Sequence, residues 1–150
     1  MPEVEGFNHF GVTVSDMDRA LVFWRDLLGL ELLGHGVVEY DHLDLIVGLS
    51  ATRIEWAELA LPAGGLIELF RYQRPSGQPL HGAVNDAGKT HLCLEVKDLD
   101  GMLRRLHSGG ISSACPVPVE IPKGDWRGFR CVYVFAPDKV VVELVERPAA

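Results

Sequence analysis

Residues 9–18, HFGVTVSDMD, return 82 positions later as HLCLEVKDLD at residues 91–100. A repeat at that interval in a chain of 150 residues calls for two copies of one supersecondary unit, each about half the chain long. Both copies open with the alternation of a half-buried strand. Phe10, Val12 and Val14 oppose His9, Gly11 and Thr13, and Leu92, Leu94 and Val96 oppose His91, Cys93 and Glu95. Each run begins with a histidine on its less apolar face.

A helix is expected after each strand. In the first copy Ser15 is placed to cap it, with Asp16 and Asp18 near the positive end of its dipole. Ala20, Leu21, Phe23, Trp24, Leu27 and Leu28 recur at helical spacing, and Gly29 supplies a left-handed stop. In the second copy Asp98 and Asp100 lead, Leu99, Met102, Leu103 and Leu106 form the stripe, and Gly109-Gly110 ends it. Three strand-like runs follow each helix, at about 30–38, 53–61 and 65–72, then at about 111–121, 129–136 and 139–146. The chain therefore reads as an α+β fold of two tandem βαβββ modules, about 5–75 and 89–147, joined by a Pro- and Gly-containing linker at about 76–88.

The last strand of each module adds a second matching feature. GLIELF at 65–70 and VVVELV at 140–145 both set a glutamate in apolar surroundings. Alternation turns Glu68 and Glu143 away from the helix-covered side, towards the face that carries His9 and His91. A carboxylate there is costly without a compensating charge, and two of them repel each other. One divalent cation answers both problems. His9, Glu68, His91 and Glu143 make a mixed nitrogen and oxygen set suited to Ni²⁺, Co²⁺, Zn²⁺, Mn²⁺ or Fe²⁺. Thr13, Leu66, Phe70, Cys93, Val141 and Val145 share that face and are expected to wall a largely apolar substrate pocket, with Trp56, Trp126 and Phe129 as further aromatic candidates. His35, His42, His81 and His107 have no partner at ligand spacing and are left outside the site.

A net charge of −7 and a pI near 5.3 offer phosphate backbones no broad positive surface, which argues against nucleic acid as a partner. The clusters Arg71, Arg74 and Lys123, Arg127, Arg130 are expected to be solvated surface. No apolar run is long enough to span a bilayer, and the N-terminal MPEVEGFNHF lacks the pattern of a secretion signal, so cytoplasmic residence is expected. Cys93, Cys115 and Cys131 show no C-x-x-C spacing and are expected to be buried free thiols.

HFGVTVSDMDRALVFWRDLLGLEL, LIELFRY, HLCLEVKDLDGMLRRL and FAPDKVVVELVE together resemble the vicinal oxygen chelate superfamily, which includes glyoxalase I, methylmalonyl-CoA epimerase, extradiol dioxygenases and bleomycin-resistance proteins. The resemblance spans essentially the whole chain. It implies a cup-shaped mixed sheet around a metal site, a small-molecule substrate with vicinal oxygens and a homodimer. It also implies proton abstraction beside a carbonyl through a metal-stabilised enediolate or enolate, with Glu143 or Glu68 doubling as the base. Four protein ligands favour that lyase or isomerase chemistry over an Fe²⁺ ring-cleaving dioxygenase, which uses three, and over non-enzymatic drug binding, which uses none. Pro137-Asp138-Lys139 replaces the P-D-G turn of many relatives, and the absence of glutathione-carboxylate anchors argues against a glutathione thioester. Related epimerases place a further acid on the third strand of the first module; Glu55 and Glu58 lie there and are expected to face solvent.

Overall fold

The computed structural model describes residues 3–80 and 82–149. Its internal contacts divide the chain into two units, residues 1–79 and 80–150. Unit one runs β1 (His9–Thr13), α1 (Met17–Leu21), β2 (Glu31–Val38), α2 (Asp41–Val47), β3 (Arg53–Ala60) and β4 (Leu66–Arg74). Its four strands lie in the order β1-β4-β3-β2, with β1 parallel to β4 and the other neighbours antiparallel. Unit two runs β5 (His91–Glu95), α3 (Leu99–Ser108), β6 (Ser112–Ser113), β7 (Val119–Glu120), β8 (Arg130–Phe135) and β9 (Val141–Glu146). Here the order is β5-β9-β8-β6, β7 also pairing with β8. Both sheets are mixed, with the first and last strands of each unit as parallel neighbours.

The helix starts are built alike. Asp16, rather than Ser15, is the N-cap of α1, its carboxylate accepting from the Arg19 amide at 3.0 Å. Asp98 does the same for α3 through the Gly101 amide at 2.8 Å. Beyond Leu21 the first helix widens into a π-helical stretch, Val22–Leu27, before Gly29 reverses the chain at φ +78°. The wider turn carries the adjacent Phe23 and Trp24 both inward, where their rings meet edge to face at 5.1 Å. Val12, Ile67 and Leu69 complete that core, and in unit two Leu99, Leu103 and Leu106 are buried with Val134, Val142 and Leu144.

Two elements differ from the sequence expectation. The run 111–121 is broken into the two-residue β6 and β7, because Pro116 and Pro118 cannot donate to a ladder. Residues 41–47 form a helix that no capping side chain announced; Asp44 secures its far end by accepting from the amides of Ala51 and Thr52, both at 2.8 Å. No helix among the described residues is long and apolar enough to cross a membrane.

Candidate metal and substrate site

In unit one the parallel register sets His9 opposite Leu66, Gly11 opposite Glu68 and Thr13 opposite Phe70, so these six positions share a face. His9 reaches diagonally to Glu68, with Nε2 and Oε2 3.5 Å apart. Its other ring nitrogen, Nδ1, lies 2.7 Å from Oδ1 of Asn8, a contact that orients the imidazole with Nε2 on the glutamate side. Unit two repeats the arrangement. His91 lies opposite Val141, Cys93 opposite Glu143 and Glu95 opposite Val145, and His91 Nε2 is 3.2 Å from Glu143 Oε2. Both histidine side chains are about two-fifths exposed and both carboxylates about one-fifth.

Those separations suit coordination. Two donors each about 2.1 Å from one ion lie about 3.0 Å apart at a right angle and about 3.4 Å apart at the tetrahedral angle. An imidazole nitrogen and a carboxylate oxygen are also the donor types for borderline divalent metals. Each unit by itself brings two such donors together. Among the described residues no group of three or more His, Cys, Asp or Glu side chains is gathered at metal-holding distance.

The antiparallel neighbours complete each face. In unit one Glu58 lies directly opposite Glu68, and Trp56 opposite Phe70. Glu58 therefore belongs to the histidine face, against the expectation that it points to solvent. Glu55 is on the other face and is also not solvated as expected. It is largely buried and accepts from His35 Nε2 and Arg71, each at 3.0 Å. Burial opposes its ionisation, but the bonds from His35 and Arg71 outweigh that and hold its carboxyl below the usual range. His35, set aside for want of a partner, has this one; His107 bonds Ser113 Oγ at 2.8 Å, and His81 lies outside the described residues.

In unit two the equivalent neighbour of Glu143 is Tyr133. Its hydroxyl is 3.5 Å from His91 Nε2, and the two rings lie 5.1 Å apart. Sequence reasoning missed this residue, because CVYVF reads as plain strand core. A signal was present: Tyr133 precedes Glu143 by the same ten residues that separate Glu58 from Glu68. Partial burial, and then the negative charge of Glu143, raise the Tyr133 phenol and push the Cys93 thiol up to about 11. Both stay protonated at neutral pH and act as hydrogen-bond donors beside Glu143. The cysteines are free, but Cys93 is exposed and Cys115 and Cys131 are half-buried, which corrects the expectation of three buried thiols. Val145 and Val141 share the Glu143 face and are buried. Trp126 and Phe129 meet edge to face at 4.9 Å in the loop before β8, and neither takes a place in the strand register. Arg71, Arg74, Lys123 and Arg127 are exposed, as expected of solvated surface, Arg71 also pairing with Glu55; Arg130 is instead half-buried and paired with Asp100 and Glu146.

Residues 6–144 match the model of the Glyoxalase/Bleomycin resistance protein/Dioxygenase superfamily. The chain belongs to that superfamily. A curated relative, 2-epi-5-epi-valiolone epimerase from Actinomyces sp, is 29% identical across 99% of this chain and 83% of its own length. A glyoxalase family protein from Bacillus cereus shares the fold with a TM-score of 0.85 at 24% identity, covering 99% of both chains. A glyoxylase/bleomycin resistance protein/dioxygenase domain from Frankia sp. EAN1pec has a TM-score of 0.71 at 20% identity, over 99% of this chain and 96% of the other. Within the glyoxalase superfamily, then, this chain is one whose two units each carry a paired histidine and glutamate.

Proposed function

We propose that this chain is a metal-dependent epimerase, a proton-transferring isomerase acting on the carbon beside a carbonyl of a small substrate with neighbouring oxygens. The observation that carries the reading is the recurrence of a His-Glu pair at 3.5 and 3.2 Å, on equivalent strands, in both units. His9, Glu68, His91 and Glu143 would together hold one divalent ion, which supplies positive charge beside the carbonyl and so makes the adjacent C–H acidic. The relative named as an epimerase supports the class of reaction.

Epimerisation removes a proton from a carbon and returns one with the opposite handedness, so it calls for more than one proton-carrying group. Glu68 or Glu143 serves as one base. Glu58, opposite Glu68 on the same face, serves as a second proton carrier in unit one, and the Tyr133 hydroxyl and Cys93 thiol supply neutral donors beside Glu143. Two chains would pair in solution, a reading supported by the edge strand β2 with its exposed Leu33 and Val37.

The test is exchange in D₂O. An α-hydroxy ketone incubated with metal-loaded protein should gain deuterium at the α-carbon, lose that exchange with chelator and regain it with a divalent ion. Exchange indifferent to chelator would contradict the reading. Oxygen uptake on a catechol with Fe²⁺ would assign the chain to ring cleavage instead.

A further inference from the structure

Residues 31–39 read ELLGHGVVE, a run with the same pattern from either end. His35 stands at its centre, flanked in turn by Gly34 and Gly36, Leu33 and Val37, Leu32 and Val38, and Glu31 and Glu39. All but Glu39 lie in β2, which ends the unit-one sheet and pairs with β3 alone. At eight residues β2 is longer than the sheet-ending strands β1 and β5, each of five, and it has neither lysine nor proline to guard its free edge. Leu33 and Val37 are about half exposed, and the His35 side chain is 39% exposed. A bulge between Leu32 and Gly34 keeps any added ladder short.

We infer that β2 pairs antiparallel with β2 of a second copy about a two-fold axis at His35, an inference that rests on the pairing of chains proposed above and gives it a mode. A two-fold contact needs a surface complementary to itself, and two identical antiparallel strands set each residue against its mirror position. Here the mirror positions match in kind. Leu33 meets the partner's Val37, so both exposed apolar side chains are covered twice over. Gly34 meets the partner's Gly36 and so brings no side chain against the Trp56 indole, which covers both glycines: a Cβ on either would sit 3.0 or 3.3 Å from it. His35 meets its own copy, and its Nε2, 3.0 Å from Glu55 of the same chain, ties the ring down beside the axis. Glu31 meets the partner's Glu39, and facing carboxylates repel. Arg53 and Arg74 both bond Glu39, the first at 2.7 Å, so that end of the contact holds two guanidiniums for two carboxylates. A foreign extended segment would use the same free backbone groups without matching this symmetry.

Sedimentation velocity across a concentration series reads the dimer, and two sets of variants read the axis. Leu33→Asp and Val37→Lys, made separately, should each weaken the dimer by more than about tenfold, since each sets an unpaired charge against an apolar side chain. Mixed in equal amounts, or combined in one chain, they set the introduced charges opposite each other and should bring dimerisation back. His35→Cys sets a thiol against its own copy with Cα atoms about 4.5–5.5 Å apart, inside the range that a disulfide spans. Under mild oxidation it should form a reducible covalent dimer. Wild type, with its three native cysteines, and Leu45→Cys, exposed on α2 away from the strand, should not. Circular dichroism checks that each variant is folded. A dimer that persists in both charge variants, or one in which His35→Cys fails to crosslink, would overturn the inference while leaving the pairing of chains intact. A wild type that stays monomeric overturns both. Neither result touches deuterium exchange, so the epimerase reading stands or falls separately.

Discussion

The two units carry the same His-Glu pair on the same strand register and surround it with different chemistry. Beside Glu68 stand Gly11, Glu58, Trp56 and Phe70; in the equivalent places beside Glu143 stand Cys93, Tyr133, Cys131 and Val145. The neighbours of Glu68 are acidic and aromatic with glycine beneath the rings, whereas those of Glu143 are uncharged and include a phenol and two thiols. The difference teaches which part of the duplicated unit is held by a common task and which is free to specialise. A histidine nitrogen and a carboxylate oxygen 3.5 and 3.2 Å apart are kept in the two halves, while their neighbours differ.

The sharpest way to break the comparison is to alter the position that differs most. Glu58→Gln should lower turnover by about 10²–10⁴-fold while leaving metal affinity unchanged, as expected for a group that carries a proton and does not ligate. Tyr133→Phe, at the matching place in unit two, should cost about tenfold or less, measured by the same exchange assay. Equal losses would mean that the halves do not divide the labour as described.

The turns before the last strands give a smaller, structural contrast. Unit one uses Gly64 and Gly65 at φ +94° and +82°, whereas unit two places Asp138 and Lys139 at φ +60° and +59°. Gly65→Ala should destabilise by about 2 kcal/mol, since a Cβ there would stand 2.6 Å from the Phe7 ring in a backbone conformation that side chains disfavour. Lys139→Gly should stabilise by about 1 kcal/mol by removing that same disfavour. Denaturant midpoints check both. The smallest effect concerns pH. Hydrogen bonding to Arg130 holds the Asp100 carboxyl below its ordinary range. Its stabilising contribution is therefore complete above the ordinary carboxylate range and lost as pH falls through the lowered value. Arg130→Gln should unfold at slightly lower denaturant than wild type at pH 7, and the gap should close below about pH 4.

Much of this was legible because the chain is written twice. His9 with His91 and Glu68 with Glu143 stand out from alternation and repetition together, and each histidine proves to be the neighbour of the glutamate in its own unit. Thr13, Phe70, Cys93 and Val145 were placed on the right faces by the same period of two. What alternation cannot supply is register. Bulges at Leu32/Gly34 and at Arg53/Ile54 decide how β3 meets its neighbours, and only that pairing distinguishes Glu58, facing Glu68, from Glu55, tied to His35 and Arg71. The lean of Trp56 over Gly34 and Gly36 depends on packing between strands and has no local signal. The helix at 41–47 was hidden for another reason: it is short, and its N-cap, Tyr40, makes no side-chain cap.

The most direct test of the account is the metal stoichiometry of protein purified without chelator, measured by elemental analysis and by calorimetric titration of wild type, His9→Ala and His91→Ala. One divalent ion per chain is expected, with each variant, though altered in a different unit, weakening that single site by more than about tenfold. Two independent ions per chain, or either variant binding metal as tightly as wild type, would contradict it.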